Sequence, residues 1–191
     1  MRRFAHLLAG LLIAVPLQRA LWGRQPQRLL PARVHNELQL GGLRPGWNTL
    51  QDALRRFGPH WYHPTPNETG IYEWNDPRRH WLLRLEVGGG DVIQAITIEQ
   101  TPARAAPPAA TRLPASADRT GLGIELGDRR QALLDRYGRP FFEGPSVLDG
   151  QRVALVVFNF SWAGSDKPQI LESSFDPAGR LIKMTLTAEY Y

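Results

Sequence analysis

The side chains best placed to do chemistry are a group of histidines. His60 and His63 stand three apart in His60-Trp61-Tyr62-His63, with His80 downstream and Glu68 as a nearby carboxylate. A zinc site would need three or four such ligands in tetrahedral array. Ordinary loop and strand histidines account for the set more simply, and no metal ligand is assigned. Gly88-Gly89-Gly90 lacks the Lys-Ser/Thr that follows a phosphate loop, so it reads as a hairpin turn. There is no Gly-x-Ser-x-Gly elbow. The chain has no cysteine, which excludes a thiolate nucleophile, disulfides, thiolate metal sites and lipid attachment at an N-terminal cysteine. Glu172 and Asp176 are a pair of acids with no indicated shared cleft. Asn67-Glu68-Thr69 is a glycosylation sequon in form only. No catalytic residue and no cofactor are expected.

The aromatic residues are a better lead. Tyr72 and Trp74 share one face of a strand and Trp81 lies on the next. Phe158, Phe160 and Trp162 alternate along the longest strand, while Val153, Leu155 and Val157 take its other face. A strand apolar on both faces must be covered on both. One face can take a helix, and the other needs a linker, a neighbouring unit or an external partner. Core packing is the default for Tyr72, Trp74, Trp81, Phe158, Phe160 and Trp162. The same six are the candidates for a partner-binding surface, because exposed aromatic patches act as anchors.

The elements that would position these residues come in two copies. Asn48–Gly58 returns eighty residues later as Asp128–Gly138. Leu50, Ala53, Leu54 and Phe57 keep the i, i+3, i+4, i+7 spacing of an amphipathic helix, and Leu133, Leu134 and Tyr137 form the apolar face of the second copy. Asn48 and Asp128 are the expected N-caps, with Gln51 and Gln131 closing capping boxes. Gly58 and Gly138 end the helices, with Pro59 and Pro140 beyond. Strands are expected at 70–74, 80–87 and 92–99, and again at 152–162, 168–175 and 180–187, with 34–40 as a further strand. Residues 101–120, rich in Pro and Ala, read as an extended connector. The expected fold is α+β: two tandem helix-plus-three-stranded antiparallel meander units behind an N-terminal hydrophobic helix. Its segments are 1–23 (signal peptide or anchor), 24–35 (Arg/Pro tether), 36–100 (first unit), 101–120 (linker) and 121–191 (second unit).

The charge of +5 is unevenly placed. Residues 1–35 hold six arginines and no acid, and the 23 basic residues less these six leave 17 against 18 acids. The remainder is nearly neutral and lacks the basic excess that phosphate binding needs, so no nucleic-acid partner is expected. Arg2-Arg3 precede an apolar run, Phe4–Leu17, with the form of an export signal or signal-anchor. Phe4, Leu8, Leu12, Arg19 and Trp22 are the expected bilayer contacts within residues 4–22, with Arg19 snorkelling and Trp22 at the interface. The expected location is the cell envelope: anchored at the inner membrane on its periplasmic side, or periplasmic or secreted if the segment is cleaved.

Each helix copy, with Gly before the cap, Asn/Asp-x-x-Gln, and Phe/Tyr-Gly-x-Pro leading into a meander, resembles the SmpA/OmlA/BamE superfamily. Two in tandem, at Gly46–Pro59 and Gly127–Pro140 with the strands that follow, are similar to the layout of β-lactamase inhibitory proteins. The resemblance implies an envelope or secreted, non-enzymatic, protein-binding role. The chain departs from both patterns in lacking a lipobox cysteine and disulfides. The function so expected is a membrane-tethered or exported subunit that binds a membrane or envelope protein complex. An inhibitor of a secreted hydrolase and a small-ligand or metal-binding protein are the alternatives.

Overall fold

The strand-forming stretches pair across the whole molecule rather than within separate units. A computed structural model describes residues 37, 39–63, 70–101, 111–160 and 168–189. Phe4, Leu8, Leu12, Arg19 and Trp22, the sequon, Trp162 and linker residues 102–110 lie outside these, as does the expected N-terminal helix. The element order is α1 (Leu50–Phe57), β1 (Trp61–His63), β2 (Gly70–Asp76), β3 (Trp81–Val87), β4 (Ile93–Gln100), α2 (Arg130–Tyr137), β5 (Phe142–Leu148), β6 (Gln151–Phe160), β7 (Gln169–Phe175) and β8 (Leu181–Ala188).

The expected pair of helix-plus-three-strand units is therefore wrong on two counts. Each helix is followed by four strands, and all eight strands form one antiparallel sheet of order β1-β2-β3-β4-β8-β7-β6-β5. Ala32–Tyr191 accordingly forms a single compact unit. The physical reason lies at β4 and β8. Left apart, each would present an open apolar edge, which invites pairing. Together they bring Ile96 opposite Leu186 and Ile98 opposite Met184 at the centre of the sheet. The strands absent from the expectation are β1 and β5. β1 has three residues, and β5 carries Gly144 and Pro145. Proline is tolerated there because β5 is an edge strand.

The two halves correspond closely. The Ile93 N–H donates to Asn48 O, and the Leu181 N–H to Asp128 O. A bulge interrupts the ladder at Glu86/Val87 and again at Ser174/Phe175. Both helices end on a glycine at φ 78, Gly58 and Gly138, whose N–H bonds back to Leu54 and Leu134. The N-caps are one residue later than the sequence suggests, at Thr49 and Arg129. Asn48 Oδ1 and Asp128 Oδ2 instead accept the N–H of Arg44 and Glu125, folding the chain into each helix. The two caps differ chemically. The Asp52 carboxylate accepts the Thr49 N–H and the Asn48 amide, whereas α2 has no capping side chain and no acid in its first turn. These bonds hold the Asp52 carboxyl down to about 2.

The core lies on one face of the sheet. Tyr72, Leu85, Ile96, Leu186, Leu171 and Phe158 stand side by side across six strands, next to the row Trp74, Leu83, Ile98 and Met184. Phe57 of α1 meets Trp74 edge-on, and Tyr137 of α2 packs on Phe158 and Phe160. Residues 111–120 belong to this core rather than forming a bare connector, because Leu113 and Ala117 are buried in it. The Asp76 carboxylate accepts the Leu113 N–H, and Arg79 donates to Leu113 O. A buried carboxylate ties the N-terminal end to the second half. Glu37 accepts the N–H groups of Gly121 and Leu122 and the Tyr137 hydroxyl.

Candidate functional site: the helix-free face

Side chains that alternate with the core residues point to the opposite face of the sheet. No described helix packs there, and Ile71, Leu82, Leu155, Val157 and Ile170 on it take no part in the core. One row of this face takes one residue from each strand: Trp61, Glu73, Arg84, Thr97, Thr185, Glu172, Val157 and Phe142. Seven interstrand steps of about 4.8 Å make it roughly 34 Å long. The row is nearly palindromic. An aromatic residue stands at each end, an acid inside each half, and two threonines at the centre whose hydroxyls lie 3.0 Å apart. The face thus follows the same two-fold relation as the helices.

Its charges are mostly paired along the surface. Glu73 accepts from Arg84 Nε at 2.7 Å and lies 3.0 Å from His63 Nε2. Lys183 pairs with Glu99 at 3.1 Å across the β4–β8 seam. Glu86 and Glu172 are exposed. The end residues are open to solvent, Trp61 at 43% and Phe142 at 48%. Tyr62 beside Trp61, and Phe141 and Val147 on β5 and just before it, add exposed apolar area at both sheet edges.

Five of the six aromatic residues singled out from the sequence lie elsewhere. Trp74, Phe158 and Phe160 are buried on the helix side and cannot serve as surface anchors. The Trp74 indole N–H donates to Gly58 O, which satisfies its one polar group. Tyr72 and Trp81 are half-buried against the same core, with Arg79 over the Trp81 ring at 4.8 Å. Burial and the neighbouring Tyr62 push the Tyr72 hydroxyl above its ordinary pKa. Trp162 lies outside the described residues. The histidines do not converge: His60 packs on Tyr72 and Trp74, His63 binds Glu73, and His80 sits in the β2–β3 turn.

The residues missed were Trp61, Tyr62, Phe141, Phe142 and Val147. For the last three a signal existed. Asp149-Gly150 is a strong two-residue hairpin sequence, and both residues are left-handed, at φ 49 and 78. It joins β5 to β6, so it marks β5 as a strand. Trp47 was missed for a different reason. The bond from Gly46 to Ile93 O matches that from Gly127 to Leu181 O, so the first copy holds one more residue before its cap. That added length carries Trp47, exposed and capped by Arg44 at 4.5 Å.

Comparison with known proteins leaves the family open. No family model matches the chain, and no curated protein matches it. One solved structure similar to it is a DUF4309 family protein (YjgB) from Bacillus subtilis. The identity is 15%, the TM-score 0.44, and the match covers 78% of this chain and 83% of that one. Among the described residues no helix is long and apolar enough to cross a membrane, and no group of three or more His, Asp or Glu could hold a metal ion.

Proposed function

We propose that the protein is a non-catalytic binding subunit of the cell envelope that presents the helix-free face of its sheet to a partner protein. The observation that carries this reading is the eight-residue row ending in Trp61 and Phe142. At roughly 34 Å it is too long for a small molecule and suits a protein surface. Aromatic anchors dominate binding energy when desolvated, and surrounding polar residues set register. The paired charges of Glu73, Arg84, Glu99 and Lys183 lie between the two anchors and supply that register. The Arg-flanked apolar segment at residues 4–22 supports a membrane tether, which would hold the face near envelope proteins. The partner is then a membrane or envelope protein, as the sequence suggests.

The test uses the full chain in its native membrane. Trp61→Ala with Phe142→Ala should abolish recovery of the co-purifying protein while leaving the fold intact by circular dichroism. Recovery that is unchanged in this double variant would refute the reading.

A further inference from the structure

The correspondence between the halves exposes a place where the second departs from the first. Gly70 pairs with Val87 as Ala154 pairs with Phe175. Two residues on, Tyr72 corresponds to Val156, and their edge-strand partners Tyr62 and Glu143 correspond likewise. At the head of the helices, Leu50 corresponds to Arg130. In the first half the site is filled. The Tyr72 ring folds over Gly70, 2.6 Å from where a Cβ would sit, and the Tyr62 ring lies at 3.1 Å. Leu50 is buried in the core. In the second half the two tyrosines are valine and glutamate, the leucine is arginine, and Gly70 and Val87 are replaced by Ala154 and Phe175.

A cavity of about 370 Å³ occurs there, lined by Ala154, Phe175 and Pro177 together with Arg130 and Arg152. Its size falls at the lower end of ligand pockets, which run roughly 300–1,000 Å³. Arg130 bonds Glu143 through Nη2, but its Nε is buried and has no acceptor. A buried N–H without an acceptor is unfavourable and points to a missing partner. Asp176 also lines the cavity, its carboxylate accepting the Arg180 N–H.

We propose that this cavity binds a small monocarboxylate with an apolar body. The carboxylate accepts from Arg130 Nε and from Arg152. The body lies on Ala154, Phe175 and Pro177. A single negative charge is preferred, because Glu143 and Asp176 would repel a phosphate dianion. The site is separate from the helix-free face, so it stands or falls independently of the binding role proposed above.

Phenylpropionate titrated into the full-length protein, followed by calorimetry, tests this. Saturable one-site binding is expected. Arg130→Leu, which installs the residue of the first half, should weaken it roughly tenfold or more, the change one lost charge-assisted hydrogen bond produces. The neutral amide analogue should be weakened similarly. Ala154→Phe, at a residue that lines the cavity, should fill it and abolish binding, and circular dichroism would show that both variants fold. Absence of saturable binding to the wild type, or equal binding of acid and amide, would overturn the proposal. So would binding that survives Ala154→Phe in a folded variant.

Discussion

Asp118 gives the protein a pH dependence that one substitution should erase. Its side chain is 4% exposed, and Oδ1 is buried without a hydrogen-bond partner. Burial first, and then the nearby Glu125 carboxylate, push its pKa from 3.8 up to about 6. The folded state therefore binds this proton more tightly than the unfolded chain. Its contribution to stability is full below about pH 4, falls as pH rises through about 6, and is level above that. At 1.36 kcal/mol per unit, the shift corresponds to about 3 kcal/mol between pH 4 and neutrality. Asp52 acts in the opposite sense and in a different window, since its pKa is lowered to about 2. It stabilises the fold above pH 3.8 and loses that effect only as pH falls toward 2. Urea unfolding of wild type and Asp118→Asn from pH 4 to 7.5 separates the two. The variant should lack most of the decline between pH 4 and 6, and should match or exceed the wild type at neutral pH. Parallel stability profiles for the two proteins over that range would refute the argument.

Three further outcomes follow from the packing. Trp74→Ala removes a fully buried indole, its edge contact with Phe57 and its bond to Gly58 O, and should cost about 3–5 kcal/mol in urea unfolding. Tyr137→Phe deletes the hydroxyl shared by Glu37 and Thr120. A lost hydrogen bond to a charged group, about 2 kcal/mol, should lower Tm by roughly 4–8 °C in a chain of this length. Val147→Lys, on an exposed edge position of β5, should leave stability within about 0.5 kcal/mol of wild type.

Local physics made part of this fold legible. The spacing of Leu50, Ala53, Leu54 and Phe57 and the stop at Gly58 mark α1, and the matching residues mark α2. Alternation in β2 to β4 and β6 to β8 marks those strands within a few residues. The joining of β4 to β8 was not legible, because the pairing of Thr97 with Thr185 leaves no local trace. The aromatic residues failed for a related reason. Alternation says that Phe158 and Phe160 share a face with Val156, but not whether that face meets α2 or solvent. Trp61 was hidden in a three-residue strand among histidines and prolines. The exchange of Leu50 for Arg130 was visible in the repeat, but the cavity it lines also needed the register that pairs Ala154 with Phe175.

The helix-free face is the surface proposed to receive the partner. Photo-crosslinking amino acids placed singly at Arg84 and Glu172, on that face, and at Gln51 and Gln131, on the exposed sides of α1 and α2, test it in intact cells. Adducts to one and the same envelope protein from positions 84 and 172, and none from 51 and 131, are expected. Adducts confined to 51 and 131, or equal from all four, would contradict it.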